Sequence, residues 1–314
     1  MENFVFSLNV TLPIFVIILI GGFLKRVGLL TDGFTTVADK FVFKVALPVQ
    51  LFQDIAIMDI RSDFSGKFVL FCMVATTFMF AACWGLGWFF LKDKSMVGAF
   101  AQGAARGSAA ILGIAFVKNI YGSSGMTPMM IVTAVPLFNI YSVIILSVSS
   151  AGGKFSADVL KTTLKGIITN PIILGILAGM LWSLLKLPWP TLISRSVGYL
   201  ANTATPLALL VLGATFRGQE ALQKIGPTIA ATFLKLVGIP ALIFPAAIAM
   251  GFRGSELVAI MIMLASPTTV TCYIMAKNLK GDATLSASIV MAATLLSSFT
   301  LTFWVFIIKS LNYI

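Results

Sequence analysis

The segment Gly98-Ala99-Phe100-Ala101-Gln102-Gly103-Ala104-Ala105-Arg106-Gly107-Ser108-Ala109-Ala110 places one guanidinium among small residues and contains no acid. A fixed cation beside a hydroxyl and a glycine that tolerates an interrupted backbone is anion-binding chemistry. A second segment, Leu264-Ala265-Ser266-Pro267-Thr268-Thr269-Val270-Thr271-Cys272, carries a proline and four hydroxyls. Proline removes a backbone hydrogen bond and clashes with the preceding turn, so a helix through this segment is expected to break at Pro267. Two helices broken at one depth would aim half-helix N-termini, with free N–H groups and partial positive charge, into one cavity. The candidate substrate-binding set is therefore Arg106, Gly107, Ser108, Asn139, Pro267, Thr268 and Thr271, with Gly107 and Pro267 shaping the site.

Each feature has a plainer reading. Gly103 and Gly107 have the GxxxG spacing of close helix packing. Pro267 could form a simple kink, and Arg106 could pair with an acid or a carbonyl. Lys44 and Lys235 also fall inside apolar runs, where long stems are expected to snorkel to an interface. Asn170, before Pro171, sits where it would cap a helix, which leaves Asn139 as the better cavity amide.

The missing residues bound the function too. The chain has no histidine, and its three cysteines, Cys72, Cys83 and Cys272, lie in apolar stretches as packing residues. Of 11 acids, Asp54 is the one read as lying inside a span, near its end, while Asp39 and Glu256 sit in the first turns of theirs. Metal and paired-acid catalysis lack their usual groups, so no enzyme, no cofactor and no metal are expected. A carboxylate proton relay at the crossover is not expected either, while a sodium site of hydroxyls and carbonyls stays open.

These side chains need a bilayer around them. Of 314 residues, 59% are hydrophobic and 11% charged, with a mean hydropathy of +1.01, against about 45–50% and about 25% in soluble domains. Apolar runs predict ten membrane-spanning helices at 4–24, 36–57, 68–91, 96–117, 126–148, 165–186, 196–216, 226–250, 256–276 and 284–308. The first run follows Glu2, lacks a small-residue cleavage site, and is expected to persist as the first span.

The halves resemble each other. An offset of 158 places Pro13 on Pro171, Gly21 on Gly179 and Pro48 on Pro206, and an offset of 159 places Lys118-Asn119-Ile120-Tyr121-Gly122 on Lys277-Asn278-Leu279-Lys280-Gly281. Five spans per half is odd, so the second half would enter from the opposite side. The expected fold is an all-α membrane protein of two inverted five-helix repeats, 1–148 and 165–314, joined by a short cytoplasmic loop at 149–164, with helices 4 and 9 broken and crossing. Twelve basic residues follow odd-numbered spans and seven lie on the other side, which puts both termini outside. The net charge of +11 thus sets orientation and implies no nucleic-acid partner.

Val42-Phe43-Lys44-Val45-Ala46-Leu47-Pro48, Ile111-Leu112-Gly113-Ile114 ahead of Tyr121-Gly122, Asn170-Pro171-Ile172-Ile173 with Gly179, and Ser266-Pro267-Thr268 through Tyr273-Ile274-Met275-Ala276-Lys277 together resemble the auxin efflux carrier family, nearly end to end. The resemblance implies a scaffold of helices 1, 2, 6 and 7 and an elevator-like mobile domain of helices 3–5 and 8–10. Family members include plant auxin carriers and bacterial carriers of malate and malonate, and the short central loop resembles the bacterial kind. Plant members often carry Pro-Asn at the first crossover and Gly-Ile-Pro after it, where this chain has Gly107-Ser108 and Gly113-Ile114-Ala115. The resulting expectation is a secondary carrier of small organic anions, mono- or dicarboxylates, in a bacterial inner membrane. An anion channel and a carrier of auxin-like aromatic carboxylates are the alternatives. A coupling ion, Na+ or H+, and a homodimer are left open.

Overall fold

The computed structural model describes residues 13, 16–57, 65–109, 117, 120–121, 125–151, 157–216 and 218–313, without the side chains of 157–160 and 162. The Ile111 to Ile114 motif and Gly122 lie outside the described residues. Among those described, the chain is helical, with one isolated antiparallel bridge between Gly107 and Thr268.

In chain order the helices are α1 (16–26), α2 (Asp32–Phe41), α3 (Leu47–Ala56), α4 (Gly66–Phe90), α5 (Val97–Ala105), α6 (Thr127–Ser150), α7 (Ala157–Ile168), α8 (Pro171–Leu184), α9 (Thr191–Thr215), α10 (Gly218–Gln223), α11 (Ile225–Phe233), α12 (Ile239–Ala249), α13 (Gly254–Ala265), α14 (Thr271–Asn278) and α15 (Ala283–Ser310). π-helical turns, Val42–Ala46 and Leu234–Gly238, fuse α2 to α3 and α11 to α12. Among the described residues, five helical runs are long and apolar enough to cross a membrane: α4, α6, α9, the fused α11–α12 and α15. Large apolar side chains such as Phe89, Leu192, Phe23 and Phe306 face outward, a surface suited to lipid. All three cysteines are free and buried.

Side-chain caps place several helix starts. Thr31 accepts from the Phe34 amide, Ser65 from Phe68, Asp282 from Leu285, and Asn170 from Ile172 and Ile173. Asn170 is therefore the cap that the sequence suggests. The expected loop at 149–164 differs, because α7 already begins at Ala157. Val159, Leu160, Thr163, Leu164 and Ile167 recur at helical spacing, which is enough to organise an amphipathic helix there.

Glycines let backbones meet. A Cβ on Gly21 would lie 2.2 Å from the Leu210 carbonyl oxygen, and one on Gly179 would lie 2.7 Å from that of Phe52. These contacts exchange under the offset of 158, since 21 becomes 179 and 52 becomes 210. The tightest approach is Gly213, whose added Cβ would sit 1.9 Å from the Ile18 carbonyl oxygen. A backbone atom cannot swing aside, so Gly213→Ala must push α1 off α9. The expected loss is roughly 1–3 kcal/mol, read as a lower melting temperature in detergent. Gly85→Ala, where nothing lies within 4 Å, is the control expected to leave it unchanged.

Candidate functional site

Two helices stop midway through their apolar runs. α13 ends at Ala265, and Ser266 is extended at φ −62°, ψ 150°, the conformation that a following proline imposes. α5 ends at Ala105 without a proline; Arg106 turns extended at φ −85°, ψ 122°. The two extended segments then pair. Gly107 bridges to Thr268, and the Ser108 amide donates to the Pro267 carbonyl at 2.8 Å. The pairing replaces part of the helical hydrogen bonding that each segment gave up, as buried backbone requires.

Gly107 and Ser266 touch at the centre of this crossing, where a Cβ on Gly107 would lie 2.3 Å from Ser266 Oγ. The two positions differ by 159. Gly103, by contrast, packs on the Ile289 side chain. Of the two readings of the GxxxG spacing, packing fits Gly103 and the interrupted backbone fits Gly107.

A cavity of about 200 Å³ lies against the crossing. Its walls are Arg106 to Ala109 and Pro267 to Thr271 on one side, Leu47, Gln50, Leu51 and Asp54 of α3 with Thr205 and Leu209 of α9 on the other, and residues of α6 and α15. Six of the seven expected site residues line it: Arg106, Gly107, Ser108, Pro267, Thr268 and Thr271. Asn139 does not. It is fully buried, and its Oδ1 accepts from Arg106 Nη2 at 3.0 Å while its Nδ2 donates to the Val135 carbonyl. It holds the arginine from behind instead of facing the cavity.

Arg106 is 4% exposed, and Nη1 also reaches Ser142 Oγ at 3.5 Å and Met275 Sδ at 2.9 Å. Among the described residues no carboxylate pairs with it. The opposite wall carries an acid, since Asp54 lines the cavity from α3. Thr268 points away, donating to the Gly103 carbonyl at 2.7 Å. Ser108 and Thr269 are part-exposed at the cavity, and the Thr269 and Thr271 hydroxyls lie 3.3 Å apart. α14 starts here on Val270, whose own side chain does not cap it; the Thr271 amide donates to Thr269 Oγ1 at 3.5 Å and the Cys272 amide to the Thr269 carbonyl at 3.0 Å, so the start lends the cavity the positive end of its dipole.

Lys235 corrects an expectation. It is 0% exposed and reaches no interface; its Nζ donates to the carbonyls of Leu264 (2.7 Å), Ala105 (3.2 Å) and Met263 (3.4 Å). Lys44 is exposed, as snorkelling requires. A sequence signal separates the two: Thr228, Thr232 and Lys235 form a polar stripe at helical spacing, and all three are buried. Asp54, Gln50 and Thr269 also escaped the sequence-based set, because nothing in α3 or the Thr-Thr pair marks which hydroxyl or acid turns inward.

Beyond the crossing, α14 is tied to the helices facing it. Lys277 forms an ion pair with buried Asp39 of α2 and donates to the Tyr273 hydroxyl at 3.2 Å, while that hydroxyl lies 2.5 Å from Thr215 Oγ1 of α9.

Residues 6–305 match the sequence model of a family described as "Membrane transport protein". An "Uncharacterized transporter" of Methanothermobacter thermautotrophicus is 23% identical over 312 residues, covering 96% of this chain and 98% of the relative. The "Putative malonate transporter" of Rhizobium meliloti is 25% identical over 278 residues, covering 87% and 86%. Auxin efflux carrier component 3 of Arabidopsis thaliana is 26% identical over 148 residues, 45% of this chain and 23% of that one.

Proposed function

The chain belongs to the membrane transport protein family, the auxin efflux carrier family its motifs resemble, and from that premise we propose that it is a secondary carrier of small organic anions, mono- or dicarboxylates. Membership makes it a multi-pass membrane transporter; the substrate class is carried by Arg106. A buried guanidinium with no carboxylate partner among the described residues is costly in a low-dielectric interior. An anion bound at the cavity supplies the missing charge. The hydroxyls of Ser108, Thr269 and Thr271 add donors for its oxygens, and the start of α14 adds the positive end of a helix dipole.

Size favours small carboxylates over auxin-like aromatic acids. At about 200 Å³, the cavity is below the roughly 300–1,000 Å³ of sites for drug-sized ligands. The relative named as a malonate transporter points the same way.

The reading includes ten spans in two inverted five-span repeats, crossing at Gly107 and Ser266, with both termini outside a bacterial inner membrane. The reciprocal glycine contacts at offset 158 support it, as does the crossing at offset 159. α1, α3, α8 and α9 pack together through the Gly21, Gly175, Gly179 and Gly213 approaches, which suits a scaffold past which the rest moves in elevator fashion. An anion channel would need a through path; the Asp39–Lys277 and Thr215–Tyr273 ties, which join α14 to α2 and α9 beyond the crossing, favour a carrier.

The test is uptake of labelled malonate, malate and indole-3-acetate into proteoliposomes. Saturable uptake of a small carboxylate with counterflow is expected. Inertness toward all carboxylates, or unitary currents, would overturn the reading.

Asp54 puts a negative charge on the cavity wall formed by α3. Like charge disfavours a dianion more than a monoanion, so Asp54→Asn is expected to lower the KM for a dicarboxylate and to change that for a monocarboxylate less. An unchanged ratio of the two KM values would remove Asp54 from the site.

A further inference from the structure

Lys235 is not a wall of the cavity, and anion recognition gives it no task. Its ammonium has three donors, and the three carbonyls it meets belong to Ala105, at the end of α5, and to Met263 and Leu264, at the end of α13. Both sets sit at the C-terminal ends of broken helices, where unpaired carbonyls and the helix dipole concentrate negative charge. Ala105 and Leu264 also differ by 159, so the ammonium bridges corresponding carbonyls of the two half-chains. Among the described residues no carboxylate pairs with it.

Unwound carbonyls and half-helix C-termini are what transporters use to coordinate a coupling cation at the midplane. We propose that the Ala105, Met263 and Leu264 carbonyls form a monovalent-cation site that this protein fills permanently with the Lys235 ammonium, so that carriage needs no sodium. The inference rests on the crossover being the transport site.

A division of charge at the crossing follows. The two negative helix ends are neutralised by a tethered cation, and the positive start of α14, together with Arg106, is left facing the cavity. A free sodium ion would do the first job only while bound, which would couple anion affinity to the sodium gradient. The tether removes that coupling. Its removal should restore it: Lys235→Ala empties space beside three carbonyls that a small hydrated cation can enter, whereas Lys235→Met fills the space without charge.

The experiment reads melting temperature in detergent without any substrate, so a mistaken substrate class does not affect it. Wild-type protein titrated from choline chloride into NaCl, LiCl or KCl at constant ionic strength is expected to show no saturable shift. A saturable sodium stabilisation of wild type would overturn the proposal. Lys235→Ala is expected to melt lower in choline and to recover by several degrees, saturably, in at least one of the three salts, as a ligand that binds only the folded state must do. Lys235→Met is expected not to respond. A Lys235→Ala protein recoverable only in one of these salts counts as the same response. An unresponsive Lys235→Ala, or a Lys235→Met protein as stable as wild type, would overturn it. If neither variant can be purified in any salt, the wild-type titration decides. With malonate as probe, uptake by Lys235→Ala should become salt-dependent within the about 5–150-fold range of typical ion–substrate coupling.

Discussion

Arg106→Ala is expected to reduce carboxylate affinity about 100-fold or more and to bring uptake to background. Among the described residues, the guanidinium is the cation that lines the cavity, and truncating one partner of a buried hydrogen-bonded charge pair costs about 2–5 kcal/mol, each 1.4 kcal/mol being tenfold. A lysine should recover little, because a point charge on a flexible stem reproduces neither the planar fork nor its seat on Asn139. A binding role also has a readout in melting temperature: Arg106→Met should lose the malonate-induced rise that wild type shows, as a ligand that binds only the folded state must give. A variant that melts lower and still responds to malonate would make Arg106 a structural tie to Asn139, Ser142 and Met275. Asn139→Ala separates the cases further: loosening the fork from behind should weaken binding less than removing it.

Much of this site was legible because the bilayer makes polar residues conspicuous. Arg106 stood out as a charge amid glycine and alanine, and Pro267 as a helix breaker whose effect falls on Ser266, one residue before it. Both deductions are local, and local physics fixed both outcomes. Gly107 suggests a break in the first half that in fact lies one residue earlier, at Arg106, where no proline marks it; pairing with the other broken segment holds it open, and that is a tertiary effect. Lys235 escapes sequence reasoning for the same reason. Its depth resembles that of Lys44, and only the stripe through Thr228 and Thr232 distinguishes an inward lysine from one facing lipid. The sequence reads Asn139 as a cavity amide, yet it faces Arg106 and does not line the cavity; that partner cannot be read from spacing, since α5 and α6 meet only in three dimensions. Asp54 marks the remaining limit: the sequence shows an acid near a span end, and rotation of α3 decides whether it sees lipid, water or the cavity.

Gly107→Ala is expected to abolish transport, with a loss of stability of roughly 1–3 kcal/mol from overpacking. Gly107 does not have a positive φ, so what the position requires is space. An added Cβ would meet Ser266 Oγ at 2.3 Å, Lys235 Nζ at 2.9 Å and Lys235 Cε at 3.3 Å. Relief would require either parting the bridged segments or driving the ammonium from the carbonyls at the helix ends, and both deform the cavity wall. Gly103→Ala is the matched control. Its Cβ would meet Ile289 Cδ1 at 2.9 Å and Cγ2 at 3.1 Å, side-chain atoms of one residue away from the bridged segments, so uptake should fall far less than in Gly107→Ala. The decisive variant is Gly107→Ala combined with Ser266→Gly. Ser266 Oγ is buried without a hydrogen-bond partner, so removing it opens room for the new Cβ at the loss of no bond, and glycine passes from one half-chain to the corresponding position of the other. Uptake should return in part, held below wild type by the remaining contact with Lys235. Full loss in the double variant, with the fold intact by melting temperature, would mean that the flexibility of Gly107 matters more than its size.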